Sequence, residues 1–348
     1  MKKIYFFSAI VILLAVVSGY IFYRLYFVSP VENAPIVQFE ITEGQSLPII
    51  IKNLQMQKLL VNPRLFKWYF IKNGLDKKIQ TGIFEIQPGL SVKKLAGIIT
   101  NPETVEIKLT FLEGWNLRDY GHYLEGLGLF QAEELHELVG FPAVDFRQLL
   151  NQPTFVKKPF DNIDFLQNKP QYATLEGYLF PDTYFFKKHA TIKQIVEKML
   201  ENFGQKLSTE LRTEIKRQKK DIFEIVTVAS LLEAEAREEK DRRMIADIIW
   251  RRLDLGMPLQ LDSTVNYVTG GKKPAISSAE QLIDSPYNTY KYAGLPLGPI
   301  NNPGLESIRA AIYPEKNDYW YFLSGQDGIM RYAKNLSGHN ENKNKYLK

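Results

Sequence analysis

The 348-residue sequence contains no cysteine. This absence excludes disulfide frameworks, thiolate metal sites and cysteine nucleophiles. The four histidines do not form H-E-x-x-H or a similar spacing, so we expect no metal site and no cofactor. The sequence also lacks the G-x-S-x-G motif of serine hydrolases, and "TGGKKP" does not have the spacing of a phosphate-binding loop. Carboxylates remain as candidates for catalysis.

The sequence also has no large excess of charge of either sign. The 44 basic and 39 acidic residues are interspersed and give a net charge of +5, which argues against a nucleic-acid partner. A mildly basic surface would suit membrane lipid or an anionic cell-wall polymer. Hydrophobic residues make up 45% of the chain and charged residues 24%, so we expect folded structure over most of its length.

An apolar run begins directly after Lys2 and Lys3. From Ile4 to Tyr23 it contains no charge, and as a helix of about 20 residues it would span roughly 30 Å of hydrocarbon. A cleaved signal peptide is the alternative, but its apolar core is usually only about 7–15 residues long. The aromatic continuation "YIFYRLYF" resembles an interfacial belt and favours a single-pass anchor over residues 4–24. The basic residues place the N-terminus in the cytoplasm, so the chain beyond residue 30 lies outside it.

The rest of the chain predicts an α+β protein with two folded parts. Residues 25–35 contain two prolines and are typical of a linker. Residues 36–104 predict a compact module in the order strand, helix, helix, strand, helix. Residues 105–348 form the larger α+β domain. Within it, residues 150–190 are rich in proline and aromatic residues and predict an irregular region, which often covers a site.

The stretch "ASLLEAEA" at residues 229–236 ends an apolar helix with two glutamates. Asp221 and Glu224 form a capping box, so the helix should begin near residue 222. A turn of about 100° per residue places Glu233 about 20° from Ile222, on the buried stripe, and Glu235 at about 220°, on the polar side. The two carboxyls therefore point to nearly opposite sides and cannot flank one bond.

The position of Glu233 suits acid catalysis. A carboxyl at the end of an apolar stripe is partly removed from water, which favours the neutral form that a general acid needs. The alternative is that Glu233 is simply solvated, or pairs with Arg237 one turn later. Glu235 is expected to stabilise its own helix through local pairing.

A second helix is predicted from Asp241 to Leu255, and polar side chains follow it within apolar sequence. Downstream, "SPYNTYKYAGLPLGPINNPG" combines tyrosine, asparagine and proline. Aromatic rings that stack on sugar faces and amides that bind hydroxyls are typical of carbohydrate recognition. An ordered surface loop has the same composition, so both interpretations remain open.

These stretches, in this order, resemble one family, the YceG-like endolytic murein transglycosylases. The matching segments are "EGYLFPDTY" at 176, "ASLLEAEA" at 229, "RRLDLGMPLQLDSTVNY" at 251, "YNTYKYAGLPLGPINNPG" at 287 and "NLSGHN" at 335. Two positions depart from the family pattern: Ala234, where lysine is frequent, and Met330, where histidine is frequent. Neither departure affects Glu233.

The resemblance implies a membrane-anchored enzyme of the cytoplasmic (inner) membrane that cuts peptidoglycan glycan strands and terminates their elongation. Glu233 would be the catalytic acid, and the module at 36–104 would be LysM-like and bind glycan. The implied partners are the glycan strands, the membrane and peptidoglycan synthases. Further candidates for binding the sugar are Gln260, Asp262, Tyr287 and Asn288.

The resemblance also implies the mechanism. The C6 hydroxyl of N-acetylmuramic acid attacks its own C1, so a single acid, Glu233, can serve both steps and leave a 1,6-anhydro end. Two alternatives remain: a hydrolytic muramidase that uses Glu233 and Asp262, since hydrolysis ordinarily needs two carboxyls, and a non-catalytic scaffold that binds the cell wall.

Overall fold

The computed structural model describes residues 2–26, 34–149, 160, 162–273 and 275–347. Most of the predicted linker, and part of the region 150–190, lie outside these residues. The helices are α1 Lys2–Tyr26, α2 Leu47–Met56, α3 Pro63–Lys72, α4 Val92–Thr100, α5 Leu117–Gly126, α6 Ala132–Val139, α7 Ile192–Lys206, α8 Thr209–Arg217, α9 Ile222–Glu235, α10 Glu239–Asp254, α11 Asp262–Thr269, α12 Leu305–Ile312 and α13 Leu336–Tyr346. The strands are β1 Val37–Ile41, β2 Gly82–Ile86, β3 Glu106–Thr110, β4 Thr183–Lys187, β5 Tyr321–Ser324 and β6 Met330–Ala333.

Helix α1 carries the apolar run. Its segment Tyr5–Leu25 has 21 residues and a mean hydropathy of 2.3, which is long and apolar enough to cross a bilayer. Length and composition alone do not distinguish such an anchor from a signal sequence. At its C-terminal end, Leu25 belongs to the hydrophobic core of the first unit and Ile21 packs against that core.

The chain divides into two compact units, and the first consists of Met1–Leu109 and Thr183–Ala190. The predicted order strand, helix, helix, strand, helix is confirmed by β1, α2, α3, β2 and α4. Strands β1 and β2 pair antiparallel from Val37 opposite Ile86 to Ile41 opposite Gly82. Alternate residues of these strands face a core that α2, α3 and α4 cover.

Strand β4 corrects one expectation, because the sequence predicted an irregular chain up to residue 190. The sheet order is β1-β2-β3-β4, so β4 extends the sheet of the first unit beside β3. Tyr184 and Phe186 are buried on one face of β4, the alternation that a half-buried strand requires. Lys187 Nζ lies 2.7 Å from Glu106 Oε1 across the two strands.

The second unit, Thr110–Asp182 and Thr191–Lys348, is built around α9. The predicted capping box is confirmed: Glu224 N donates to Asp221 Oδ1 at 2.7 Å, and Asp221 N donates to Glu224 Oε2 at 3.1 Å. Every residue from 225 to 232 is buried, and α8, α10, α11 and α12 pack around the helix. Since α9 is surrounded, its last turn brings polar groups into an otherwise apolar interior.

A buried hydrogen-bond network fixes the loops near the end of α9. Asn302 is fully buried; its Oδ1 accepts from the backbone N–H groups of Gly177 and Leu179, and its Nδ2 donates to Glu176. Its backbone pairs with the segment 114–115, with Gly114 N donating to Asn302 O at 3.0 Å and Asn302 N donating to Trp115 O at 2.9 Å. These bonds hold residues 112–116 next to residues 301–304.

Candidate active site

Glu233 lies in the last turn of α9, and its side chain is only 7% exposed, as its place on the helical stripe predicted. Its Oε1 accepts a hydrogen bond from Arg242 Nη2 at 3.1 Å. Its Oε2 accepts from Gly304 N at 3.0 Å and from Ser307 Oγ at 2.7 Å. Three donors, one of them a cation, thus surround a single carboxyl, an arrangement suited to a carboxylate.

The two donors to Oε2 come from the start of α12. Gly304 is the N-cap residue of that helix, and its backbone N–H, which has no partner within the helix, donates to Glu233 of another helix. Ser307, in the first turn, adds its hydroxyl. The positive end of the helix dipole further stabilises negative charge at this place.

Arg242 in the first half of α10 provides the cation. Its side chain is 7% exposed, its Nε donates to Ala236 O at 3.0 Å and its Nη1 donates to Glu306 Oε2 at 3.1 Å. One guanidinium therefore bridges Glu233 and the mostly exposed Glu306. The alternative that Glu233 pairs with Arg237 is wrong, because the ion pair is with Arg242.

A second carboxyl, that of Glu113, also lies close to Gly304. A Cβ atom placed on Gly304 would be 2.1 Å from Glu113 Oε1 and 2.7 Å from its Oε2, so a side chain at residue 304 would displace this carboxyl. Partial burial, and then the negative charge of Glu233, raise the pKa of Glu113. The negative charge of Glu233 therefore acts on the carboxyl of Glu113.

An open cleft of about 500 Å³ lies beside the last turn of α9, a volume typical of ligand sites. Ala234, the residue after Glu233, lines it, and so does Gly114, whose Cβ position is 3.6 Å from Glu233 Cγ. Within the described part of the chain, the amide oxygens of Asn266 and Asn301, two further lining residues, have no hydrogen-bond partner. Arg118 also lines the cleft, which is therefore rich in groups that can bind a polar ligand.

The four residues predicted to bind sugar lie elsewhere than the wall of this cleft, as far as the described residues define it. Asn288 is fully buried and its side chain serves its own loop, donating to Gln281 O and Ile283 O. Tyr287 is 2% exposed and packs on the Tyr267 ring. Asp262 accepts from Tyr290 Oη at 2.5 Å. Gln260 is exposed and has a positive φ of 54°.

The prediction for Glu235 is wrong. Its Oε1 accepts from Ser263 Oγ of α11 at 2.7 Å, so it joins two helices instead of pairing within its own. Burial raises the pKa of Glu235 to about 7, and the negative charge of Asp262 contributes. The structure groups Asp262 with Glu235 and places Glu113 near Glu233, so the hydrolytic alternative through Asp262 gains no support.

Sequence reasoning missed Arg242, Ser307, Gly304 and Glu113. Arg242 is nine residues from Glu233 and follows a bend between two helices, so helical periodicity does not connect them. Gly304 offered one signal, as a glycine just before an apolar helical run, but its role depends on a carboxyl from another helix. The position of Glu113 depends on the backbone pairing between residues 114–115 and residue 302. No local sequence pattern predicts this pairing.

Comparison with known proteins adds to this geometry. The sequence profile of the YceG-like family matches residues 39–345. The chain belongs to the YceG-like family. The resemblance found from the ordered sequence motifs is thereby confirmed.

Relatives of this YceG-like protein cover most of its length. A Bacillus subtilis protein named endolytic murein transglycosylase is 32% identical over 338 residues, which is 95% of this chain and 91% of that protein. A Streptococcus pneumoniae protein of the same name is 31% identical over 330 residues, and the match spans 57% of its longer chain. The crystal structure of a putative YceG-like protein from Listeria monocytogenes superposes with a TM-score of 0.60 at 32% identity, covering 88% of this chain and 98% of that one.

Proposed function

We propose that this YceG-like protein is an endolytic murein transglycosylase that cuts the glycosidic bond between N-acetylmuramic acid and N-acetylglucosamine and leaves 1,6-anhydro ends. The names of the Bacillus and Streptococcus relatives support the activity. The observation that carries the proposal is the position of Glu233, a nearly buried carboxyl held by Arg242, Gly304 and Ser307 next to an open polar cleft.

The proposed reaction needs a single carboxyl, that of Glu233. Glu233 donates its proton to the glycosidic oxygen as the bond from that oxygen to C1 breaks, and the electron pair leaves with the oxygen. The C6 hydroxyl of the same muramic acid then attacks the oxocarbenium-like C1, and its proton passes to the Glu233 carboxylate. No water is consumed, and Glu233 ends the cycle protonated as it began. The fixed donors around it limit its rotation, which keeps the carboxyl aimed at the bond.

The cleft beside Glu233 is the proposed glycan-binding site. The amides of Asn116, Asn266 and Asn301 can exchange hydrogen bonds with sugar hydroxyls and acetamido groups, and Tyr267 offers an aromatic edge. Arg118, whose Nη1 donates to Tyr267 O at 2.7 Å, adds positive charge. An anionic lactyl or stem-peptide carboxylate of peptidoglycan would be stabilised there.

The helix α1 is proposed as a permanent anchor in the cytoplasmic membrane, with the N-terminus inside and both units outside. Its 21-residue apolar segment and its preceding lysines support this orientation. The first unit is proposed as a LysM-like module that binds glycan, so that strands are cut and terminated close to the membrane. Mass analysis of the mature chain from membranes tests the anchor: a cleaved signal sequence would remove α1, and an anchor retains it.

The catalytic role of Glu233 is tested with purified glycan strands and the full-length protein in detergent. Glu233→Gln keeps the size of the side chain and removes its acidity, so the release of anhydro ends should fall by about 10²–10⁴-fold. Glu238→Gln is the matched control, because Glu238 is exposed and lies five residues further along. Normal release by Glu233→Gln would refute the proposal.

A further inference from the structure

Two carboxyls lie close to the backbone of Gly304, and the proposed mechanism uses only one of them. We propose that Glu113 and Glu233 act as a coupled carboxyl pair, in which Glu113 is a positioning residue that keeps a proton available to Glu233. This inference rests on the proposed function and concerns the same site. Glu113 need not contact the sugar.

The geometry of the pair is set by Gly304. Glu233 Oε2 is 3.0 Å from Gly304 N, and Glu113 Oε1 is 2.1 Å from the place where a Cβ of residue 304 would be. With ordinary backbone dimensions, these contacts keep the two carboxyl oxygens within about 8 Å of each other. The loop that carries Glu113 is held there by two backbone bonds between residues 114–115 and Asn302. The fold therefore keeps the carboxyls of Glu113 and Glu233 close to each other.

The groups that surround Glu233 explain why a second carboxyl is useful there. A guanidinium, an N–H group and a hydroxyl all stabilise its carboxylate. A general acid, however, must hold a proton before the reaction. A nearby negative charge opposes full ionisation, because two carboxylates that share a site cannot both lose their protons without repulsion. Glu113 is placed to supply that charge.

Burial and the charges of four neighbouring side chains act on the carboxyl of Glu113. Burial raises its pKa most, the carboxylates of Glu233, Glu306 and Asp182 raise it further, and Arg242 lowers it. The negative charges of Glu113 and Glu233 therefore oppose each other, and the two carboxyls act as one unit. In turnover, this unit gives one proton to the leaving oxygen and regains one from the C6 hydroxyl, so its proton count is the same before and after.

The pH dependence of the rate tests the pair. Full-length wild type, Glu113→Gln and the control Glu125→Gln, an exposed glutamate of α5, are assayed in detergent with uncrosslinked glycan strands from about pH 4 to 9. Glu113→Gln removes the negative charge, so the site should lose its catalytic proton at lower pH. The basic limb should move down by about one pH unit, which lowers the rate about tenfold above both midpoints. Glu125→Gln should follow the wild type.

Gly304→Ala is a second variant that leaves both charges in place. Its φ of −72° suits alanine, and the new methyl must push the flexible carboxyl of Glu113 away. The basic limb should move in the same direction as in Glu113→Gln. Thermal unfolding shows that the variants are folded.

The outcomes separate the pair from the proposed function. A Glu113→Gln profile that coincides with the wild type, or that is lowered equally at every pH, would overturn the pair. A wild-type enzyme that forms no anhydro ends would instead overturn the proposed function on which the pair rests. A basic limb that is shifted to lower pH in both variants supports the pair.

Discussion

Arg242 Nη2 donates to Glu233 Oε1 over 3.1 Å, and both side chains are 7% exposed. This ion pair joins the start of α10 to the end of α9 and is nearly removed from solvent. Removing one partner of a buried pair leaves an uncompensated charge, which costs far more than the pair contributes while it is intact. Arg242 should therefore matter for both the fold and the chemistry of the site.

Arg242→Met should lower the free energy of unfolding by about 3–5 kcal/mol, because Glu233 would then be buried without its cation. Arg237→Met is the control, since Arg237 is exposed, and it should change the free energy by no more than about 0.5 kcal/mol. Urea denaturation followed by tryptophan fluorescence measures both. Equal free energies of unfolding for the two variants would show that the ion pair contributes little to stability.

The fully buried Glu176 should make stability depend on pH. Burial raises its pKa from 4.5 to about 8, so the folded state binds a proton that the unfolded state releases in this window. Its contribution to stability is complete below pH 4.5 and is lost as the pH rises to about 8, with a slope of up to about 1.4 kcal/mol per pH unit. Glu176→Gln should remove this slope.

Glu176→Gln can keep the network, because the amide oxygen can accept from Leu117 N and the amide nitrogen can donate to Tyr267 Oη, which lies 2.9 Å from Glu176 Oε2. Denaturation midpoints between pH 5 and 8 provide the measurement. An equally steep decline in the variant and the wild type would assign the slope to other groups.

The pKa of Glu235 should respond in opposite directions to changes at its two neighbours. The Ser263 hydroxyl lowers this pKa, so Ser263→Ala should raise it above 7. The charge of Asp262 raises it, so Asp262→Asn should lower it below 7. NMR titration of ¹³C-labelled glutamate carboxyls, assigned with Glu235→Gln, reports both. Shifts of the same sign would contradict this arrangement.

Gly177→Ala should destabilise the protein strongly. Gly177 has a φ of +87°, and an added Cβ would lie 2.6 Å from Val226 Cγ1 and 2.7 Å from Pro299 Cβ. Gly294→Ala is matched in backbone conformation, with a φ of +98°, but no atom lies within 4 Å of its Cβ position. The strained φ costs roughly 1–2 kcal/mol in both, and overpacking adds about 1–3 kcal/mol at residue 177 alone. Equal denaturation midpoints would contradict the difference in packing.

Local physics made α9 predictable from the sequence. The capping box of Asp221 and Glu224 and the apolar stripe that ends in Glu233 are properties of one helix, so residue spacing alone located both the helix and its buried glutamate. The same reasoning failed for Glu235, because its partner Ser263 belongs to another helix. A helical wheel places Glu235 on a polar face, but it does not show which neighbouring element covers that face.

The remainder of the site depends on contacts between distant segments. Arg242, Gly304 and Glu113 reach Glu233 from α10, from the start of α12 and from a loop held by Asn302. Strand β4 likewise was not predicted, since its pairing with β3 spans more than 70 residues of chain. Motif order could identify the family, but only the fold brings these side chains together.

The mass of the new glycan ends tests the central claim most directly. Uncrosslinked strands are digested with the wild-type protein, and the released ends are measured by mass spectrometry. If the C6 hydroxyl attacks C1 as proposed, the muramic acid ends are anhydro and lighter by one water than hydrolysed ends. Hydrolysed ends would contradict the account and would indicate a muramidase, with Glu113 as the second carboxyl beside Glu233.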